Sequence, residues 1–124
     1  MARSDDPQAY LPLHPLEFRI LLVLLEGASH GYEIVKRIEE RESGWAKIYP
    51  ANLYRRMRDA LSRDLIQEVE SPGAETDARR RYFEVTELGR AVAREEARRL
   101  EGLVADARAQ RLLGSAPGGS GRAG

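Results

Sequence analysis

The sequence predicts a mainly α fold with a small β-hairpin. Three observations carry this. Apolar residues recur at helical spacing through three successive segments between residues 15 and 64. The pattern then switches to two short strand-like runs around a turn signal. A last helical stretch follows, with a thin, regular apolar set. The chain has 124 residues, enough for one domain with a single core.

Residues 1–12 read as a flexible arm, because Pro7 and Pro12 discourage regular structure. Pro15 suits the first position of a helix, and Leu16, Ile20, Leu21, Leu24 and Leu25 follow at helical spacing up to a stop at Gly27. A second helix is expected from His30 or Gly31, with Tyr32, Ile34, Val35 and Ile38 on its inner face and a favourable Glu33/Arg37 pair outside. Ser43-Gly44 would end it. A third helix is expected from near Pro50 to near Asp64. Leu53, Met57, Ala60 and Leu61 make one apolar stripe, and Ala51, Arg55, Arg58 and Ser62 lie opposite, flanked by Asn52 and Asp59.

Residues 65–70 and 81–85 read as strands around Ser71-Pro72-Gly73, joined by a charged connection whose tip is expected to be mobile. Thr86 is a good N-cap, with Glu87 in the first turn, for a helix running to about Leu113. Ala93, Leu100 and Ala107 repeat every seven residues on it, beside Ala97 and Val104, and Leu88 and Val92 add to the same set. This spacing suits packing against another helix, so these seven residues are the expected dimerisation set. Residues 114–124 are rich in Gly, Ser and Pro and read as a disordered tail.

Charge is more informative by segment than in total. The 20 basic and 20 acidic side chains cancel. Residues 47–63, however, carry Lys47, Arg55, Arg56, Arg58 and Arg63 against Asp59 alone, while residues 1–46 and 64–86 each come to −3. A local basic patch suffices to attract phosphates, since charges beyond about 8–10 Å are screened at physiological salt. There is no cysteine, which removes disulfides, thiolate metal sites and thiol nucleophiles and fits the reducing cytoplasm expected as location. The two histidines, His14 and His30, are isolated, so neither metal nor cofactor is expected; His30 reads as a capping or surface residue. The start is polar and acidic, unlike a signal peptide. No apolar run approaches the roughly 18 residues of a membrane span. No nucleophile motif or Gly-rich phosphate loop points to an enzyme.

Three helices, a charged hairpin and a further helix form the layout of a winged helix-turn-helix plus a C-terminal dimerisation helix. The expected division is an arm over 1–12, the winged domain over 13–86, the dimerisation helix over 87–113 and the tail. The third helix would enter the major groove, about 12 Å wide, which accepts one α-helix. Arg55 and Arg58 are the leading candidates for its DNA face. Asn52 reads as a helix cap or as a bidentate partner of adenine. Tyr54 reads as a phosphate donor or as packing beside the core, and Lys47 and Tyr49 as grips on the backbone. Ala51 shares the face, and Arg79 and Arg80 at the second strand are candidates for backbone or minor-groove contact. Glu75 and Asp77 argue against deep penetration by the tip. Trp45 reads as packing between helices or as lining a pocket.

Gly31-Tyr32-Glu33-Ile34, then Leu53-Tyr54 in a basic helix, then Leu65-Ile66, then the run from Arg80 to Gly89 resemble the PadR family of bacterial transcriptional regulators over roughly residues 13–112. The resemblance implies a homodimer on double-stranded DNA, mostly a repressor, and for some members a small aromatic effector. Three positions depart from the family pattern: Asp64 stands where Gly usually caps the helix, Asn52 where a small hydroxyl residue is common, and Arg55 where Pro or Gly is common. The alternative function is a winged module for protein interaction or ligand sensing with little DNA affinity, motivated by the zero net charge.

Overall fold

The computed structural model describes residues 5–41, 49–70 and 80–114. Expectations for Ser43-Gly44, Trp45, Lys47, Glu75, Asp77, Arg79 and nearly all of the tail lie outside these residues.

Helix α1 spans Pro15–Leu24, with Pro15 at its first position. His14 caps it: Nδ1 accepts from the Leu16 N–H at 3.0 Å. Helix α2 spans Gly31–Arg41 and α3 spans Pro50–Ser62, followed by strands β2 (Ile66–Val69) and β3 (Tyr82–Val85) and by α4 (Glu87–Ala109). Two residues between α1 and α2, Ser29–His30, form a strand, β1. The sheet is therefore three-stranded and antiparallel in the order β1-β3-β2, with Ser29 opposite Phe83 and Ile66 opposite Val85. The sequence showed only the hairpin, because a two-residue strand carries no alternation to detect.

The core forms where the helices meet the sheet. Ile20, Leu21, Ile34, Ile38, Leu53, Leu65, Ile66 and Val92 are almost wholly buried. Each such side chain contributes about 1.5–3 kcal/mol relative to exposure. Two buried carboxylates are set into this core. Glu17 of α1 accepts from Arg63 Nη2 at 2.5 Å, and the same guanidinium lies 5.8 Å from the centre of the Tyr10 ring. Glu96 of α4 accepts from Arg99 Nε at 2.8 Å and Nη2 at 2.7 Å, and from the Leu13 N–H at 3.4 Å.

The arm differs from expectation. Pro7–Tyr10 forms one 3-10 turn, and Tyr10 and Leu13 are buried in the core. Gln8 Nε2 donates to Glu95 Oε1 of α4 at 2.8 Å. The two prolines do exclude a long helix, but they leave an extended path that lays two apolar side chains against the domain.

Both ends of the basic helix are built by local rules. Its N-cap is Tyr49, which makes no side-chain capping bond, and Pro50 stands at the first helical position. At its C-terminus Asp64 takes φ +60°, Leu65 N–H donates to Ala60 O at 2.9 Å and Asp64 N–H to Leu61 O at 3.1 Å. This is a Schellman motif completed by an Asp in place of Gly.

Candidate nucleic-acid interface

The face of α3 away from the core is determined by its sequence. Leu53, Met57 and Ala60 are buried and Leu61 is half-buried, so the stripe packs inward as the spacing predicts. Ala51, Asn52, Tyr54, Arg55 and Arg58 are exposed, together with Tyr49 at the helix start. The arginines divide by partner. Arg56 pairs with Asp59 at 3.4 Å and Arg63 with Glu17. Among the described residues, the side chains of Arg55 and Arg58 make no ion pair or hydrogen bond, so their charge is uncompensated on the outer face. The Asn52 side chain makes no hydrogen bond with any described residue and Asn52 is not the N-cap, which leaves its side-chain amide open to a partner outside the chain.

The residues flanking β3 extend this face. Arg81 Nη2 donates to Glu68 Oε1 at 2.8 Å and its Cζ lies 5.3 Å from the Phe83 ring centre. That guanidinium holds the Glu68 carboxyl below the ordinary carboxylate range. Arg81 is thus neutralised within the sheet. Arg80 points elsewhere: Cζ lies 5.3 Å from the Tyr32 ring centre and Nη1 3.2 and 3.3 Å from the two ring nitrogens of His30. His30 Nδ1 also accepts from the Glu33 N–H at 3.2 Å, capping the start of α2 as expected.

Tyr32 corrects the sequence reading, which placed it on the inner face of α2. It is 64% exposed, and Ile34 and Ile38 alone of that set are buried. Val35 is half-buried. Position 32 precedes the stripe by two residues, about 200° around the helix from Ile34 at 100° per residue, so it faces outward. Tyr54 approaches from α3: a Cβ on Gly31 would meet its Cε1 at 2.8 Å. Absence of a side chain at Gly31 is what lets the Tyr54 ring lie over the start of α2.

The expected dimerisation set also divides. Val92 and Ala93 are buried against the chain's own core, and Leu88 is half-buried against it, so the heptad pattern at these positions is satisfied within one protomer. Val92 and Ala93 are thereby withdrawn from any intermolecular surface. Ala97 is exposed, Leu100 and Ala107 are half-buried, and Val104 and Leu103 are exposed.

A family model, the transcriptional regulator PadR-like family, matches residues 20–95, more than half of the chain. The chain belongs to the PadR-like family. It is a transcriptional regulator of that family with a winged-helix fold. Solved structures agree on the fold. A PadR family transcription regulator from Clostridium difficile superposes with a TM-score of 0.68 at 21% identity, covering 81% of this chain and 100% of that one. A transcriptional regulator from Clostridium thermocellum gives 0.64 at 24% identity, covering 92% and 100%. The adhesin competence repressor from Streptococcus pyogenes gives 0.59 at 20% identity, covering 86% and 69%. No curated protein matches the sequence.

In this PadR-like chain no helix among the described residues is long and apolar enough to cross a membrane. Sequence reasoning missed the arginine–aromatic grouping of Arg80, His30 and Tyr32, because residues fifty positions apart share no local pattern. It also missed the buried Glu17 and Glu96, because a carboxylate's burial leaves no mark on residue spacing.

Proposed function

We propose that this regulator is a homodimeric repressor that binds an inverted-repeat operator in double-stranded DNA, with α3 of each protomer in a major groove. The observation that carries this is the pair of uncompensated, exposed guanidinium groups of Arg55 and Arg58, on the face of α3 opposite Leu53, Met57 and Ala60. Arginine bonds bidentately to guanine edges and to phosphate, and both are available where a helix enters the groove. Asn52, Tyr54, Ala51 and Tyr49 flank these groups, and Arg80 adds a cation at the wing.

The dimer is supported by the surface between α1 and α4. Phe18, Leu22 and Leu100 line an apolar groove of about 360 Å³ with Glu96 and Arg99 at its side. Beyond it, Leu103 and Val104 are exposed on α4. A second copy of α4 laid along this groove covers all of these side chains at once, as an isologous two-fold interface does. Two such protomers meet half-sites about 34–36 Å apart, one turn of DNA. Occupancy of the site excludes other proteins from it, which gives repression.

Genomic selection followed by footprinting tests this. The expected product is an inverted repeat protected on one face of the duplex. A footprint blind to sequence, or affinity weaker than about 10⁻⁴ M at low salt, overturns it in favour of a protein-interaction or ligand-sensing module.

A further inference from the structure

Tyr54 is the only aromatic residue of α3, and its ring is held by a different helix. It is 51% exposed, while Leu53 beside it is wholly buried. A Cβ on Gly31 would meet Tyr54 Cε1 at 2.8 Å, the hydroxyl oxygen at 3.1 Å and Cζ at 3.3 Å. These atoms are the tip of the side chain. The ring is therefore rooted in α3 and propped at its far end on the bare backbone that opens α2. A side chain held at both ends loses little freedom when it meets a partner. The backbone does not require glycine at position 31: among the described glycines, only Gly27 takes a positive φ. A helical residue of ordinary φ is better served by alanine, so the missing side chain at Gly31 serves space and not conformation. The Tyr54 hydroxyl makes no hydrogen bond with any described residue.

We propose that Gly31 is a positioning residue for DNA: by carrying no side chain, it seats the Tyr54 ring so that the Tyr54 hydroxyl donates to one backbone phosphate at the wall of the groove that α3 enters. This deepens the operator-binding reading and rests on it. Three observations favour a phosphate over a base. Consecutive helical residues stand about 100° apart, so Tyr54 is turned that far from Arg55. With Arg55 aimed into the groove, Tyr54 faces its side, where the phosphates lie. The ring tip rests on the start of α2, and the first helix of a helix-turn-helix is the one that crosses the DNA backbone. The free group is a neutral O–H donor, and an anionic phosphate oxygen accepts from such a donor strongly. A phosphate contact of this kind fixes the register of a recognition helix and carries no base information. Gly31 acts only through Tyr54, by fixing how far its hydroxyl stands from the Arg55 side of the helix.

The test uses the full chain with its selected duplex and a random duplex, and reads affinity by fluorescence anisotropy across a salt series. Tyr54→Phe keeps the ring and removes the hydroxyl. It is expected to weaken both duplexes about tenfold, the lower end for a hydrogen bond to a charged group. The salt slope should not change, because a neutral hydroxyl releases no counterion. Gly31→Ala leaves the hydroxyl in place and moves it: the half-exposed ring can swing into solvent, so the chain folds and binding again falls about tenfold. The double variant should bind no more weakly than either single one, a coupling that a merely structural role for Gly31 does not produce. Single phosphates are then replaced by methylphosphonate. One position should cost the wild type about tenfold more than it costs Tyr54→Phe. This last comparison does not depend on how Gly31→Ala folds. Wild-type affinity in Tyr54→Phe, additive losses in the double variant, or no coupled phosphate while Arg55-dependent binding persists overturns the proposal alone. A wild-type protein without DNA affinity overturns it together with the operator reading.

Discussion

A Cβ on Gly89 would stand 2.0 Å from the carbonyl oxygen of Leu65. The first turn of α4 therefore lies directly on the backbone that leaves α3, and only hydrogen fits between them. Thr86 completes the junction: its hydroxyl donates to the Asp64 carbonyl at 2.5 Å and accepts from the Gly89 N–H at 2.9 Å. Gly89→Ala must push α4 off the domain, against backbone that cannot yield as a side chain does. We expect a loss of about 3 kcal/mol, the upper part of the overpacking range. Urea titration reads it as a lowered midpoint; an unchanged midpoint would show that α4 shifts without cost.

Asp64 gives the opposite sign. It occupies the left-handed region at φ +60°, which costs an L-residue roughly 1–2 kcal/mol. Glycine removes that strain and adds about 0.5–1 kcal/mol of unfolded-state entropy. Asp64→Gly should therefore stabilise by about 0.5–1 kcal/mol, seen as a rise in the midpoint. DNA affinity should stay unchanged, since position 64 lies at the far end of α3 from Tyr49 and Asn52.

Acid stability is set in part by Glu96. Its two bonds to Arg99 and the bond from the Leu13 N–H pull its carboxyl below the ordinary value of 4.5, against the opposing effect of burial. A carboxylate with a depressed folded-state pKa adds stability that is complete above the unfolded value and is lost as pH falls through the folded one. Stability should hold down to about pH 4.5 and decline below it. Glu96→Gln should flatten that decline at a lower plateau, because Arg99 loses its ionic partner. Thermal melts between about pH 3 and about pH 7, a span from largely protonated to fully ionised ordinary carboxylates, compare the two curves.

Arg55→Ala should weaken operator binding by about 1–3 kcal/mol, as expected for a bidentate base contact, and relax preference at one base pair. The fold should be untouched, because Arg55 is exposed and its side chain bonds to no described residue. Equal affinity in a folded variant would remove Arg55 from the interface.

Leu100→Asp places a charge in the groove between α1 and α4. Sedimentation should show a monomer, and operator binding should be lost with the dimer. A wild-type chain that sediments as a monomer would remove the basis for the two-fold operator.

What was legible in the sequence was mostly periodic. Leu53, Met57 and Ala60 turned inward as their spacing required, and Thr86 and Pro15 took the helix-start positions their chemistry suits. Periodicity alone did not say which body an apolar position meets. Val92 and Ala93 share a repeat with Leu100, yet the first two serve the chain's own core while Leu100 keeps part of its surface. Nor did it separate an apolar residue from an exposed aromatic one, so Tyr32 read as core. The arm was misjudged because prolines report on helix, not on burial. Of the candidate site, the outward side of α3 could be derived from one segment. The grouping of Arg80 with His30 and Tyr32 could not, because Arg80 and His30 are brought together by the pairing of β1 with β3.

The junction of Thr86, Asp64, Leu65 and Gly89 also makes α4 a lever. The helix has 23 residues and is therefore about 34 Å long at 1.5 Å per residue. Pinned at one end to the segment that follows α3, it converts a swing of roughly 5° into about 3 Å at its tip. In a two-fold assembly, any molecule that wedges the paired shafts apart would be felt as a changed stride between the two reading heads, without either head altering its own shape.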